Sequence, residues 1–195
     1  MDLVALIKLM ERTGVFQEGH FLLSSGMHSG RYLQCALLLQ HPDLAEQVCA
    51  ALAQRFVGEG IQVVLGAALG GILVAHETAR ALGARALFAE REGGRLVLRR
   101  GFAIHPQERV LLVEDVITTG GTVRELFDLV EAMGGEVVGV GALVDRSAGK
   151  AVLPGKRREA LLALEIETYP PAECPFCREG IPLVKPGSRP GKDSS

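Results

Sequence analysis

The segment Leu111-Leu-Val-Glu-Asp-Val-Ile-Thr-Thr-Gly-Gly-Thr122 decides the fold of this 195-residue chain. Its apolar run predicts a buried strand. Two adjacent acids follow, and a turn rich in hydroxyls and glycines leads into a helix. In open α/β sheets, ligands bind beyond the carboxyl ends of the strands, which is where Glu114 and Asp115 are expected. This layout is typical of a loop that holds a sugar phosphate.

Strands and helices alternate on both sides of this segment. The predicted strands are 61–65, 84–89, 109–113 and 136–144, and the predicted helices are 2–13, 42–58, 71–82 and 121–133. A tight turn at 92–95 is predicted to join two short strands as a hairpin, whereas residues 15–40 are predicted to be irregular. Elements of these lengths predict an α/β protein, with a parallel sheet flanked by helices.

Composition narrows the class of protein. The net charge of −2 favours neither nucleic acid nor a membrane surface as a partner. The N-terminus lacks the pattern of a signal peptide, and no apolar run reaches the ~18 residues of a membrane span. A soluble, cytoplasmic protein is therefore expected. Four cysteines are too few for a disulfide scaffold at this length, and Cys35 and Cys49 are expected to be buried.

The chemistry expected of the central segment follows from its residue types. Glycines and successive amide groups in 118–122 can form an anion site, which the N-terminus of the following helix strengthens. Glu114 and Asp115 would repel a phosphate, so they are expected to accept hydrogen bonds from sugar hydroxyls or to face a positive charge. The alternative is an ordinary strand–turn–helix junction, in which Asp115 and the threonines only cap the helix.

Residues 110–122 resemble the phosphoribosyl-pyrophosphate (PRPP) motif of the type I phosphoribosyltransferases. The acid pair, the threonine and the glycine stand at matching places. The resemblance implies a parallel sheet flanked by helices, with a small hood over the site. It implies a single domain over 1–167, with a hood segment at about 1–40 and a core at about 41–167. A Pro-rich C-terminal segment, 168–195, follows and is expected to end in a mobile tail over 187–195.

Four segments resemble orotate phosphoribosyltransferases in particular. Residues 19–26 resemble the hood segment, 65–72 the pyrophosphate loop, 110–122 the PRPP motif, and 144–146 a strand end whose Arg meets the orotate carboxylate. The resemblance covers roughly residues 1–150. It implies transfer of phosphoribose from PRPP to orotate with release of pyrophosphate. The alternatives are a purine or xanthine phosphoribosyltransferase and a non-catalytic regulator that senses PRPP.

The resemblance also implies roles for individual residues. Glu114 and Asp115 would act in catalysis by holding the ribose hydroxyls, and Thr118 and Arg146 would bind orotate. A planar guanidinium suits a carboxylate because its fork donates two parallel hydrogen bonds; the alternative for Arg146 is a surface ion pair with Asp145. The complete set of PRPP-binding residues implied is Glu114, Asp115, Val116, Ile117, Thr118, Thr119, Gly120, Gly121 and Thr122.

The catalytic loop departs from the family pattern. The matching stretch, 89–101, contains no Lys or His, and Arg91 stands where the family has a Lys. Arg91 is therefore the expected catalytic cation. The other candidates are Arg95, Arg99 and Arg100, and the alternative is a hairpin whose arginines are only solvated. Two further family lysines are replaced, by Ser24 and Gly70.

The family resemblance implies Mg²⁺ as cofactor, bridging PRPP oxygens with few protein ligands, and a homodimer as the assembly. A second metal is suggested by Cys174 and Cys177, whose C-x-x-C spacing is half of a zinc site. A second subunit, or Cys35 with a His, could complete that site. The alternatives are a redox pair or a tight turn with two packed thiols. The five histidines are mostly expected to be structural or on the surface.

Overall fold

A six-stranded sheet forms the centre of the computed structural model, which describes residues 1–23, 25–147, 149–151 and 157–186. The strands are β1 (Phe16–Leu22), β2 (His28–Leu33), β3 (Val63–Ala67), β4 (Arg85–Glu92), β5 (Arg95–Leu98), β6 (Arg109–Ile117), β7 (Glu136–Asp145) and β8 (Arg157–Ala163). The helices are α1 (Leu3–Arg12), α2 (Ala36–Leu39), α3 (Pro42–Gln54), α4 (Gly70–Leu82), α5 (Gly121–Ala132) and α6 (Pro175–Arg178), with a 3₁₀ turn at Pro171–Glu173.

The sheet order is β5-β4-β3-β6-β7-β8, and every pair is parallel except the β4–β5 hairpin. Buried residues of α1, α3 and α4 pack on one face, and those of α5 pack on the other. The buried strands β3 and β7 read as continuous apolar runs because both of their faces are covered. The predicted α/β class is confirmed, since a parallel sheet flanked by helices forms the core.

Most of the predicted elements are present within a few residues of their expected ends. Gly83 ends α4 with φ = 68°, a conformation that glycine adopts without steric cost. The predicted hairpin turn is also present, and Glu92 pairs with Arg95 across it. The strand predicted at 109–113 is longer than expected, because β6 continues in parallel pairing with β7 as far as Ile117.

Two parts of the prediction are wrong. Residues 15–40 are not irregular, because β1 and β2 form an antiparallel hairpin. A bulge between Glu18 and Phe21 breaks the two-residue alternation that would have revealed β1 in the sequence. The edge strand β8 was also missed, since its Arg157-Arg158-Glu159 start gives no apolar signal.

The C-terminal segment packs on the β1–β2 hairpin. Val184 exchanges backbone hydrogen bonds with β1, and Tyr169 exchanges two with His28 of β2. We call the hairpin together with residues 169–184 the hood. Two sequence expectations, the replacement at Ser24 and the tail over 187–195, lie outside the described residues. Within the described ranges, no helix combines the length and the apolar character that crossing a bilayer requires.

Candidate functional site

A cleft of about 760 Å³ opens between the hood and the carboxyl ends of β6 and β7. This position agrees with the general location of ligand sites in parallel α/β sheets. The cleft brings together Asp115, Thr118, Thr119 and Arg146, which the sequence had placed at one site. Its complete lining is Leu22, Leu23, Ser25, Met27, Tyr32, Leu33, Gln34, Asp115, Val116, Thr118, Thr119, Arg146, Ser147, Lys150, Glu165, Ile166, Thr168 and Pro186.

Glu114 and Asp115 point to opposite faces of the sheet, because β6 continues through both of them and successive strand side chains alternate. Asp115 lies on the face packed by α4, and its carboxylate contacts the start of that helix at Gly70. Glu114 lies on the face packed by α5, where the charge of Arg91 acts on it. The acid pair thus approaches the end of the strand from two sides, which the sequence motif alone did not reveal.

Glu114 has a strongly shifted pKa. Burial, together with the negative charge of Asp115, raises the pKa of Glu114 to about 8, although nearby Arg91 opposes the shift. Its Oε2 atom is buried without a hydrogen-bond partner among the described residues. A buried polar atom without a partner is costly and rare, and such atoms are often completed by a ligand. Glu114 is therefore poised to accept a hydrogen bond or a cation.

The carboxylate of Asp115 packs against the start of α4 and accepts a hydrogen bond from its own strand. Burial raises the pKa of its carboxyl group, while a hydrogen bond from the Val116 amide to Oδ1, 2.9 Å long, opposes the shift. A Cβ atom at Gly70 would lie 2.7 Å from both carboxylate oxygens. The glycine that replaces a family lysine therefore leaves the space in which this carboxylate rests.

The stretch predicted as a pyrophosphate loop borders this carboxylate. It leaves β3 at Ala67 and enters α4 at Gly70, and the Ala68–Leu69 peptide bond within it is cis. Gly66 and Gly71 pack so closely that a Cβ at Gly66 would lie 2.4 Å from the Gly71 carbonyl oxygen. This contact brings the start of α4 directly against the sheet, next to the end of β6.

Residues 118–122 form the turn between β6 and α5. Gly120 precedes the helix with φ = 81°, a left-handed conformation that favours glycine. Gly121 and Thr122 start the helix, and the side chains of Thr118 and Thr119 are exposed at the cleft. Within the described part of the chain, none of the five amide N–H groups donates a hydrogen bond. Free donors at a helix N-terminus suit an anion, as the sequence predicted for this turn.

Arg146 follows β7 directly and extends into the same cleft. Its amide donates to the Ile117 carbonyl, which joins the ends of β6 and β7, while burial lowers the pKa of its half-buried guanidinium. Among the described residues, no carboxylate forms an ion pair with this side chain. The suggested partner, Asp145, instead accepts a hydrogen bond from the Ser147 amide. Arg146 is therefore available to a negatively charged ligand.

The cations of the predicted catalytic loop are mostly engaged with acids. Arg91 makes two hydrogen bonds to Glu125 of α5, 2.9 and 2.8 Å long, and donates a third to the Gly94 carbonyl. Arg100 binds Glu90 through two hydrogen bonds, and Arg99 lies 3.8 Å from Glu92. Arg95 makes no ion pair with any residue in the described ranges. The backbone of this loop is thus a hairpin, but Arg91 and Arg100 form ion pairs instead of being only solvated. The charge of Arg91 also interacts with Glu114.

Two residues of the cleft were missed by the sequence reasoning. Burial raises the pKa of Tyr32, with Asp115 adding to the shift and Arg146 opposing it, so the ring lies among the proposed ligand-binding groups. Lys150 also lines the cleft and forms a 2.6 Å ion pair with Glu165. In the sequence, the signals for these two residues were an aromatic ring in an apolar stretch of the hood and a lysine four residues after Arg146.

The cysteine pair lies outside this cleft. Cys174 and Cys177 are on the hood, next to His20 and His28. The proposal that Cys35 completes a metal site is wrong, because the Cys35 thiol is buried beside Asp115 instead. His41, His76 and His105 are exposed, whereas His20 and His28 are buried beside the cysteine pair.

Comparisons with known proteins show which family the chain resembles. Residues 37–153 match the family model described as Phosphoribosyl transferase domain. The orotate phosphoribosyltransferase of Pelotomaculum thermopropionicum is 60% identical over 184 residues, covering 94% of this chain and 96% of that protein. The orotate phosphoribosyltransferase of Desulforamulus reducens is 56% identical over 189 residues, covering 97% of this chain and 98% of that protein.

A solved structure extends the likeness to three dimensions. The crystal structure of Mycobacterium tuberculosis orotate phosphoribosyltransferase in complex with inorganic phosphate matches with a TM-score of 0.66 at 27% identity. The match covers 84% of this chain and 96% of that chain. The similarity in three dimensions therefore extends over most of the chain.

Proposed function

The chain belongs to the orotate phosphoribosyltransferases, and from this membership we propose that it transfers the phosphoribosyl group of PRPP to orotate. The products are orotidine 5′-monophosphate and pyrophosphate, a step of pyrimidine synthesis. The observation that carries the proposal is the Arg146 guanidinium, which forms no ion pair with any described residue and shares one cleft with Asp115 and the 118–122 turn. A candidate anion site and a cation in one cleft fit a sugar phosphate and an anionic base.

The two substrates divide the cleft between them. The free amides and hydroxyls of 118–122 suit the 5′-phosphate, and Glu114 and Asp115 suit the ribose hydroxyls. The partnerless Oε2 of Glu114 supports this role, because a ribose hydroxyl would supply the missing donor. Arg146 would bind the orotate carboxylate through two parallel hydrogen bonds, with Thr118 beside it. Val116 lines the same cleft, whereas Ile117 and Gly120 are buried and support the turn.

Fixed charges and orientation are sufficient for the reaction. An orotate ring nitrogen attacks the anomeric carbon, the bond to pyrophosphate breaks, and positive charge develops on the sugar. Glu114 and Asp115 interact electrostatically, and together they would place negative potential near that carbon once a bound cation lowers the raised pKa of Glu114. Holding both substrates in one cleft removes much of the entropic cost of their encounter. A covalent enzyme intermediate is not required.

The buried, partnerless Oε2 of Glu114 is a hard oxygen donor of the kind that Mg²⁺ prefers, and this ion retains several waters. Bound magnesium would neutralise charge on the pyrophosphate. The raised pKa of Glu114, which the charge of Arg91 only partly opposes, is that of a buried carboxyl group which a further cation would stabilise in its charged form. The ion would be held mainly by PRPP, with these residues contributing directly or through the ribose hydroxyls.

Arg91 remains the proposed catalytic cation for the departing pyrophosphate. Its charge acts on Glu114, which supports a place beside the sugar. To reach a phosphate oxygen it would exchange a hydrogen bond with Glu125 for one with the ligand, at little net cost for two exposed groups. Arg95 is the second candidate, because it is not tied to an acid in the described ranges.

Location and assembly are further parts of the proposal. All four cysteines are free thiols, which suits the reducing cytoplasm. The family resemblance implies a homodimer. Leu69 and Leu73, beside the pyrophosphate loop, are 67% and 45% exposed, and a second subunit would cover such apolar side chains.

The direct test is to incubate the protein with PRPP and Mg²⁺ and to measure pyrophosphate release with each base. We expect release with orotate and none with hypoxanthine, xanthine or adenine. Release with a purine and none with orotate would overturn the proposed substrate. No release with any base, despite measurable PRPP binding, would instead identify a non-catalytic PRPP sensor.

A Gly70→Ala substitution tests the position of Asp115. The new Cβ would displace the carboxylate from the Val116 amide, so the KM for PRPP is expected to rise about 5- to 10-fold, or roughly 1 kcal/mol. The melting temperature should change little, because alanine favours a helix more than glycine does. His76→Ala, on an exposed position of α4, is the matched control. An unchanged KM for PRPP in the Gly70 variant would argue against this role of Asp115.

A further inference from the structure

Four side chains converge inside the hood, away from the cleft. His20 and His28 come from the hairpin, and Cys174 and Cys177 come from the C-terminal segment; one potential ligand atom of each lies within 4.8 Å of the other three. His20, His28 and Cys174 are buried, and Cys177 is exposed. Two imidazoles and two thiols form the ligand set of structural zinc sites.

The distances between these atoms fit tetrahedral coordination. The Sγ atoms of Cys174 and Cys177 lie 3.5 and 3.7 Å from His20 Nε2, and Cys177 Sγ lies 3.3 Å from His28 Nδ1. Bond lengths of ~2.3 Å to sulfur and ~2.05 Å to nitrogen place tetrahedral S and N ligands about 3.5 Å apart. The two ring nitrogens are closer, at 2.9 Å. A small movement of one ring would open space for the ion.

A backbone hydrogen bond gives His20 the tautomer that a metal ligand requires. Its Nδ1 lies 2.7 Å from the Ile181 carbonyl oxygen, so Nδ1 carries the proton and donates it. The lone pair is therefore on Nε2, which is the atom that faces the two thiols. A hydrogen bond from the opposite ring nitrogen to a backbone carbonyl is the usual arrangement that orients a metal-binding histidine.

The backbone brings the ligands together through two local features. The β1 bulge turns both His20 and Phe21 toward the interior, which a regular strand could not do with adjacent residues. Cys174 precedes the short α6 and Cys177 lies within it, and Phe176 of this helix lies against Gly30 of β2, where a Cβ would be only 2.4 Å from the ring. The absence of a side chain at Gly30 thus lets α6 approach the hairpin.

The alternatives account for fewer of these observations. A hydrogen bond between the two rings would explain the 2.9 Å contact but not the two thiols beside it. A redox pair would explain the two thiols but not the two buried imidazoles whose ring nitrogens face them. A metal ion satisfies all four groups at once, and two thiolates neutralise its charge.

We propose that His20 Nε2, His28 Nδ1, Cys174 Sγ and Cys177 Sγ bind one structural Zn²⁺ ion. The ion ties the β1–β2 hairpin to a segment about 150 residues away in sequence. A two-stranded hairpin is marginally stable by itself, and its Leu22, Leu23 and Met27 line the substrate cleft. The bound metal would therefore fix the wall of the cleft that faces Arg146. This inference does not depend on the proposed activity.

Metal analysis of the purified protein tests the site. We expect one zinc ion per chain after exposure to zinc and removal of the excess, and its loss in Cys177→Ser and in His28→Asn. Cys49→Ser and His76→Asn, which alter a buried thiol and an exposed imidazole outside the cluster, are the matched controls and should keep the metal. Zinc retained equally by all four variants would overturn the proposal.

Cobalt substitution tests the geometry in the unaltered protein, so the outcome does not depend on whether a variant folds. Co²⁺ bound by two thiolates and two imidazoles should give intense tetrahedral absorption bands and a sulfur-to-metal charge-transfer band, both displaced by zinc. The Cys177 thiol should react with a thiol reagent only after a chelator removes the metal. A weak octahedral spectrum, or a Cys174–Cys177 disulfide in place of bound metal, would contradict the site.

Discussion

An Arg146→Ala variant is expected to raise the KM for orotate about 100-fold while the KM for PRPP changes less than about twofold. The guanidinium is half-buried and forms no ion pair with a described acid, so its removal affects only the binding of the ligand. Two charge-assisted hydrogen bonds to a carboxylate contribute up to about 3 kcal/mol. Steady-state kinetics with each substrate varied in turn measures the two effects separately.

Two further variants make this result specific. Arg146→Lys keeps the charge but loses the planar fork, so its KM for orotate should lie between those of the alanine variant and the unaltered protein. Arg12→Ala, at the exposed end of α1, controls for the loss of one positive charge and should match the unaltered protein. An equal rise in both KM values for Arg146→Ala would mean that the residue supports the whole cleft rather than the base.

A Glu114→Gln variant is expected to lose activity and gain stability at alkaline pH. The pKa of Glu114 is raised from 4.5 to about 8, so between these values the folded protein holds a proton that the unfolded chain has released. Stability therefore falls as pH rises through this window, and glutamine removes the loss. A shift of this size sets an upper limit of about 5 kcal/mol at 1.36 kcal/mol per unit.

The measured gain should be smaller, about 2 kcal/mol, because relaxation and water reduce the cost of a buried charge. For a chain of this length that corresponds to a melting temperature about 4–8 °C higher at pH 9 and unchanged near pH 4.5. In the same variant kcat/KM should fall about 100-fold, since the carboxylate beside the sugar is gone.

The exposed Glu11→Gln on α1 is the control for this experiment and should change neither quantity. If the melting temperatures of Glu114→Gln and the unaltered protein fall in parallel between pH 5 and 9, the carboxyl group is not the titrating group. Full activity in the glutamine variant would remove Glu114 from the proposed ribose site.

The sequence predicted the core of the fold because the signals there are local. Apolar runs followed by glycine and acid turns identify β3, β6 and β7, and helical spacing identifies α3, α4 and α5. The PRPP motif and Arg146 could be assigned to one cleft because the carboxyl ends of neighbouring parallel strands meet at one edge. Family resemblance added the identity of the base, which no spacing rule contains.

The features that were missed all depend on contacts distant in sequence. The bulge in β1 hides its alternation, and the polar edge strand β8 is recognisable only from its pairing with β7. Glu114 and Asp115 point to opposite faces of the sheet because β6 extends through both of them. This extension depends on pairing with β7, which the motif does not encode. Likewise, a C-x-x-C pair indicates half of a site, but its histidine partners lie more than 140 residues earlier.

The pairing of the hood with the C-terminal segment also has a consequence for synthesis on the ribosome. The β1–β2 hairpin is made roughly 150 residues before Tyr169 and Val184, with which it exchanges hydrogen bonds. Translation proceeds at about 5–20 residues per second, so the hairpin waits on the order of ten seconds for its partner. A nascent chain can therefore pair β3, β6 and β7 and form the 118–122 turn before Tyr169 and Val184 are available to complete the hood.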